Sequence, residues 1–519
     1  MSQCASTGMG QRISPVSNVG GVAMYNATEI IMRLEAVQSL DSDLKGAFQY
    51  DPLFVGSDSR MSADTLWLLL AAFLVFFMQA GFAMLEVGSV SSKNAKNILL
   101  KNLMDVSLGG IFYWALGWGF SYGGSNPFIG GTEFFMIGTE EYRSWLFQFA
   151  FAATAATIVS GSVAERTQFR AYFIYSIFLT AFIYPVVVHW VWSTDGFLSA
   201  FNSDSASRIG GGMMDFAGSG VVHMTGGTAA LVGAIAVGAR HGRFDKATGK
   251  PQPKPGHNPV LAALGGFILW FGWYGFNAGS TLIFTGGAQF VAGKVAVTTT
   301  LAACGGGLTV LFIGRLATKS FDLSMALNGI LAGLVSITAG CSVVDPWSSV
   351  LIGIIGGIVY FGFSRLLLRL KIDDPLDASP IHCFCGFWGV LSVGLFATPE
   401  NVMNAYATDS LSNIGVFFGG DGTLFGVQLL GGIIIFCWTA LLSSLVFFPL
   451  KKLRLLRVTA EVEDAGLDVH KHGGSAYPQF MNIGKNVLSV TMSSSQLVDD
   501  KTQMPIPHSS SFRVRKGAE

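Results

Sequence analysis

Charge is scarce in this chain. Only 12% of its 519 residues are Asp, Glu, Lys or Arg, about half the share of a soluble domain. The 32 basic residues balance 32 acidic ones, so no net positive surface is offered to nucleic acid, and no nucleic-acid partner is expected. Cysteine is sparse as well: Cys4, Cys304, Cys341, Cys383, Cys385 and Cys437. None forms a CxxC pair. Cys383-Phe-Cys385 lies beside His382, but it lacks both the spacing and the ligand number of a zinc site. These are read as packed thiols, and no metal or cofactor is expected. The first 60 residues contain no compact apolar run behind a basic stretch, so no secretory signal is read there. The extramembrane segments show no Ser/His/Asp arrangement, metal cluster or phosphate loop, which argues against an enzyme.

What is abundant is apolar. Hydrophobic residues make up 51% of the sequence, and its 65 glycines lie within runs rich in Leu, Ile, Val and Phe. Small residues inside apolar runs let membrane helices approach closely. The runs are too long and continuous for the alternating strands of a β-barrel. The pattern predicts an all-α polytopic membrane protein in contact with a lipid bilayer. At roughly 20 residues per crossing, eleven transmembrane helices are expected. They run Leu66–Val90, Leu103–Tyr122, Trp145–Val163, Tyr172–Trp192, Phe216–Val237, Val260–Phe276, Val295–Gly314, Leu323–Val343, Val350–Leu368, Ile381–Ala397 and Leu424–Phe448.

Basic residues set the orientation. The odd-numbered loops hold Lys93, Lys96, Lys101, Arg166, Arg170, Arg240, Arg243, Lys246, Lys250, Lys254, Arg315, Lys319, Arg365, Arg369 and Lys371, fifteen in all. The even-numbered loops hold only Arg143, Arg208 and Lys294. The N-terminus is therefore expected outside and the C-terminus inside, where Lys451, Lys452, Arg454 and Arg457 follow the last span. Three regions result: an extracellular extension over 1–62, a transmembrane domain over 63–450 and a cytoplasmic tail over 451–519. Asn26-Ala27-Thr28 is a glycosylation sequon, usable if its end faces outside.

Two histidines interrupt the apolar runs: His223 in the fifth span and His382 in the tenth. Ionisable groups at membrane depth mark functional sites by default. Five is odd, so a second set of five spans runs inverted. The expected architecture is two inverted five-helix repeats plus one extra helix, with a site between the halves. Neutral imidazoles there would share a proton and offer a donor and an acceptor to a small polar solute. Each histidine alone reads better as one bonded to a neighbouring helix; their matching placement in the two halves favours function. Asp215, eight residues before His223, suits a helix cap and also attracts a cation. Trp192 ends the fourth span, where interfacial anchoring is the default. Phe147 and Phe151 share one helix face, and Phe276, Asn277 and Ser280 close the sixth span.

Several longer motifs then become decisive: MQAGFAMLEVGSVSSKNAKNILLKN, SGSVAERTQF, DFAGSGVVHMTGG, WFGWYGFNAGS, TAGCSVVDPW and DDPLDASPIHCFCGFWG. Together, over roughly residues 60–480, they resemble the ammonium transporter family (Amt/Mep/Rh), most closely its plant-type branch. The resemblance implies a homotrimer of eleven-helix protomers, each with its own pore and its N-terminus outside. It implies that Trp192, Phe151 and Ser280 recruit a cation, that Asp215 lies near that site, that Phe151 and Phe276 gate the pore, and that His223 and His382 line it. Two departures stand out. Cys383 follows His382 where the family usually has glycine. The tail AEVEDAGLDVHKHGGSAY, with Gly466, resembles one that docks on a neighbouring subunit and is switched by a phosphothreonine, but His470 stands at that threonine's position.

A mechanism follows as an expectation. Ammonium and potassium match in size, and a bare ion in an apolar pore costs on the order of tens of kcal/mol. Ammonium escapes that cost by losing a proton; potassium has no such route. The expected function is ammonium transport in a plasma membrane, with methylammonium as an analogue and with charge moving through the histidines. The alternatives are an ammonium sensor that reads pore occupancy, and a Rhesus-like channel for ammonia or carbon dioxide.

Overall fold

A computed structural model describes residues 52–477, apart from 125 and 409, together with two short strands near the start of the chain. The chain divides into two compact units, Met1–Thr65 and Leu66–Glu519. The first holds an antiparallel pair, Ser17–Val19 with Val22–Met24. The sequon at Asn26 and the serines beyond Val487 lie outside the described residues.

The second unit is helical. Among the described residues, nine helices are long and apolar enough to cross a membrane: Ser59–Ser89, Tyr142–Ser162, Phe169–Trp192, Ser219–Val237, Pro259–Gly279, Ala288–Thr318, Pro346–Arg369, Ser379–Phe396 and Thr423–Lys452. Two expected spans differ from these. The second falls in a continuous helical run made of Ala95–Phe112, Tyr113–Gly117 and Trp118–Tyr122, which carries Lys96, Lys101 and Asp105 in its first half and is less apolar for it. The eighth ends early: Leu323–Ile337 is apolar but has 15 residues. Lys101, expected in a loop, is fully buried within Ala95–Phe112, and Lys294 lies inside Ala288–Thr318.

Glycine sets how closely the helices approach. Where Ser59–Ser89 meets Pro259–Gly279, a Cβ on Gly88 would sit 2.4 Å from the Ala262 amide nitrogen, and one on Gly265 would sit 2.2 Å from that of Leu85. Backbone touches backbone there, the packing mode open to membrane helices.

The two histidine-bearing helices open with the same device. Ser219–Met224 and Ser379–Phe384 are both π-helical turns that pass into α-helix. Such turns leave backbone groups off the regular ladder and recur at functional sites. An aspartate eight residues before each histidine holds the turn. Asp215 accepts from the amides of Gly218, Gly220 and Val221 at 3.1, 2.9 and 2.8 Å. Asp374 accepts from the amide and hydroxyl of Ser379, both at 2.7 Å. A carboxylate facing exposed amides at a helix start is stabilised by the partial positive charge there.

Candidate functional site

The site runs as a column between the two histidine helices. At its wide end is a cavity of about 490 Å³, walled by Trp192, Phe147, Phe151, Phe216 and Ser280 and by the acids Glu133 and Glu141. Trp192 closes the helix Tyr184–Trp192, and its indole donates to the Asp215 carbonyl at 2.7 Å, which fixes the ring against the cavity. The Ser280 hydroxyl donates to the Phe276 carbonyl at 2.8 Å. With its proton so used, its oxygen presents only lone pairs to the cavity. A ring face and an acceptor oxygen suit a small cation.

Below the cavity the passage closes. Phe151 and Phe276 stack with centroids 4.0 Å apart and planes 20° apart, and Trp192 meets Phe151 edge-on at 5.9 Å. Phe147 packs on Phe151 at 4.6 Å. Both gate rings are buried.

His223 lies directly behind the two stacked rings, stacked on Phe276 at 5.5 Å and on Trp273 at 5.1 Å. Trp273 is itself fixed by donating to the Thr338 hydroxyl at 3.0 Å. The Nδ1 atoms of His223 and His382 are 3.2 Å apart, and Nε2 of His223 has no hydrogen-bond partner among the described residues. Two like nitrogens bond only when one carries a proton and the other a lone pair, so the pair shares one hydrogen and the rings hold complementary tautomers.

The helices can meet this closely because residue 227 is glycine. A Cβ on Gly227 would lie 2.1 Å from the Cys383 amide nitrogen. Cys383 turns its sulfur away from the histidine contact, toward the Thr228 hydroxyl at 3.3 Å. Beyond His382 lies a second, small cavity of about 20 Å³, lined by Phe82, Glu86, Ile158 and Ile381 among others.

The structure therefore brings Trp192, Phe151, Ser280, Phe276, His223 and His382 into one column. Asp215 stands apart from the cavity wall: it is buried, and both its oxygens serve backbone amides. Its contribution is to hold the turn that carries His223 and, through its carbonyl, the Trp192 ring. Sequence reasoning missed Glu133 and Glu141. The only available signal was the acid-rich stretch Glu133-Phe-Phe-Met-Ile-Gly-Thr-Glu-Glu141 between two spans. No group of three or more His, Cys, Asp or Glu placed to hold a metal occurs among the described residues.

At the opposite end of the bundle the tail folds back on its own chain. Asp468 caps Ala95–Phe112 by accepting from the amides of Lys96 and Asn97, both at 2.9 Å. Leu467 donates to Asn94 at 2.9 Å, and His241 bonds both Glu463 and Asp464. Gly466 has φ +99°, and a Cβ there would strike Lys93 at 2.6 Å, so only glycine fits this corner. His470 is exposed. The tail rests on a buried ionic cluster in which Arg240 bonds Glu165 at 2.5 Å and Asp373 at 2.8 Å. Burial alone would raise Glu165, but the Arg240 guanidinium and the Ser91 hydrogen bonds bring it down to about 2.

Comparison with known proteins gives one answer. The sequence pattern of the Ammonium Transporter Family matches residues 66–477. Ammonium transporter 1 member 3 of Solanum lycopersicum is 45% identical over 431 residues, covering 80% of this chain and 93% of that protein. Ammonium transporter 3 of Dictyostelium discoideum is 44% identical over 417 residues, covering 80% and 94%. Among solved structures, Sensor Amt Protein aligns with a TM-score of 0.72 at 36% identity, covering 80% of this chain and all 100% of that one. Candida albicans Mep2 aligns with a TM-score of 0.68 at 27% identity, covering 77% and 87%.

Proposed function

From the premise that this chain belongs to the ammonium transporter family and is an ammonium transporter rather than an enzyme, we propose how its column of residues moves the ion. Ammonium enters the wide cavity, drawn by Glu133 and Glu141, and settles between the faces of Trp192 and Phe151 with one N–H on the Ser280 oxygen. It loses its proton at the Phe151/Phe276 gate. Ammonia crosses the apolar interior along His223 and His382, and the shared hydrogen between these rings carries the proton separately, so transport moves charge. Potassium is refused because it has no proton to lose.

The observation that carries this reading is the histidine pair placed directly behind a closed aromatic gate. The wider setting belongs to the same proposal: eleven crossings, a homotrimer in the plasma membrane, the N-terminus outside and residues 451–519 as a cytoplasmic regulatory tail. A second reading, an ammonium sensor, is favoured by one observation, the likeness to Sensor Amt Protein. The two are separated in yeast lacking ammonium uptake, with methylammonium as competitor and current recorded beside flux. Growth rescue with ammonium-evoked current supports the transporter mechanism. Signalling without flux supports the sensor. Unchanged selectivity and current in His223→Ala would remove the histidines from the mechanism.

A further inference from the structure

A buried acid that the mechanism above leaves idle lies on the far side of the histidine pair. Glu86, on the helix Pro52–Ser89, is 2% exposed and borders the same small cavity as His382. That cavity measures about 20 Å³, enough for about one water molecule. The Glu86 Oε2 atom accepts from Asn102 at 2.9 Å and from Ser160 at 2.8 Å. Asn102 in turn accepts from Thr157 at 2.9 Å.

The charged and titratable groups facing Glu86 come from few elements. Ala95–Phe112 supplies Lys101 and Asp105, while Tyr142–Ser162 supplies only hydroxyls, Ser160 and Thr157. Ser379–Phe396 supplies His382 across the cavity, and Phe169–Phe178 supplies Tyr172. Lys101 is fully buried, and its ammonium has no hydrogen-bond partner among the described residues; it lies 5.1 Å over the Tyr172 ring. Asp105 accepts from Tyr172 at 2.5 Å and Ser176 at 2.9 Å. A carboxyl, an ammonium and a second carboxyl are thus sunk together beside the pore. Burying such groups is costly, and packing two helices does not call for it.

We infer that Glu86 is the next proton carrier after His382, taking the proton that ammonium released and passing it on toward the tail end of the protein. The inference rests on the charge-moving reading above. Nδ1 of His382 is engaged by His223, so Nε2 is the atom left to hand the proton on. The proton passes from the His382 imidazolium, through the cavity, to the Glu86 carboxylate. This leaves a neutral histidine and a neutral carboxylic acid. The acid then releases the proton inward, and ammonia is protonated again in the aqueous phase. One ammonium disappears outside, and one ammonia plus one proton appear inside.

The test is the ratio of charge moved to ammonium transported, in purified protein reconstituted at a fixed lipid ratio. Glu86→Gln keeps an acceptor oxygen for Asn102 and Ser160 but cannot carry the proton. Its charge-to-ammonium ratio is expected to fall by about tenfold, while Glu86→Asp, which keeps a carboxyl, retains most of it. Equal ratios in wild type and Glu86→Gln overturn the inference and leave the histidine reading standing. Equal loss in the Gln and Asp variants overturns it too, since the carboxyl is then only packing. Electroneutral transport by the wild type overturns both readings.

If Glu86→Gln fails to assemble, Ser160→Ala decides the matter. It removes one donor to the carboxylate, which weakens the charged form and raises proton affinity. The dependence of current on internal pH should then move to higher pH. An unmoved profile refutes the role of Glu86.

Discussion

His223 and His382 share a single hydrogen across 3.2 Å between their Nδ1 atoms. Neither ring can play its part in that bond alone, so the two act as a unit. Replacing either by alanine should lower ammonium-evoked current by about a hundredfold, the lower range for removing a positioned proton carrier, and the double replacement should add little. Electrode recordings normalised to surface protein test this. Losses that multiply in the double variant would show two independent residues.

The proposed gate rests on Phe276 meeting Phe151 at 4.0 Å. If the stack is what excludes potassium, Phe276→Ala should open a wet path past His223 and admit it. A buried Phe→Ala change also costs about 3–5 kcal/mol, so the milder Phe276→Leu serves as a partner variant with an intermediate leak. Potassium conductance in the absence of ammonium is the measurement. A leak no larger than that of the wild type would place selectivity elsewhere.

Cys383 occupies the position where glycine was expected, with its sulfur directed at Thr228. Cys383→Gly should therefore leave the choice between ammonium and potassium unchanged and act on stability. Against cysteine the glycine weakens the helix by only about a few tenths of a kcal/mol, and the lost thiol contact adds about 1 kcal/mol. The midpoint of thermal unfolding in detergent should fall by a few degrees; a selectivity change instead would contradict the geometry.

Asp468 ties the tail to the start of Ala95–Phe112 through two amides. Asp468→Ala removes a cap of about 1–2 kcal/mol and should release the segment around Gly466. Hydrogen exchange at residues 94–97 and 463–472 should rise together, while the aromatic column stays protected. Unaltered exchange would mean that Lys93, Asn94 and His241 hold the tail without it.

The ionic cluster beneath the tail has a defined pH response. Glu165 is held at about 2 in the folded chain against an ordinary 4.5. A lowered carboxyl contributes stability that is complete above its unfolded value and fades as pH falls toward the folded one. Unfolding midpoints should thus be insensitive to this group above about pH 5 and decline between about pH 4.5 and 2. Arg240→Gln leaves Glu165 buried without its guanidinium, while Asp373 keeps Arg243 at 3.2 Å. It should cost about 3–5 kcal/mol and carry the acid-side decline to higher pH. An identical acid limb in the variant would show that Arg240 is not what holds Glu165 ionised.

Much of this was legible in the sequence because membrane burial leaves a plain signature. The apolar windows located the helices but not all their ends, several of which lie six to eight residues away, and the histidines stood out because ionisable groups are rare at that depth. Their contact was inferred from span counting and from resemblance. The failures share a cause. The π-turns of Ser219–Met224 and Ser379–Phe384 have no compositional mark. The cap at Asp215 was legible from its place before the fifth span, but Asp374, eight residues before the second histidine, drew no reading, and only the structure shows that it holds Ser379 in the same way. The second expected span was set to begin at Leu103 because Lys101 looks like a loop residue; burial among Glu86, Asp105 and Tyr172 is a long-range fact that no local window contains. Glu133 and Glu141 drew no reading in the sequence; only the fold makes them part of a cavity wall.

The two touching phenyl rings have a further meaning for speed. With their faces 4.0 Å apart, nothing the size of ammonia fits between them at rest. On the proposed path every molecule must wait for a ring to swing aside, and the ring must return before its follower leaks through. Throughput on that path is then governed by the swing of one side chain rather than by a helix rearrangement, which takes micro- to milliseconds. A protein built this way works as a turnstile, with its frame standing still while only the arm turns.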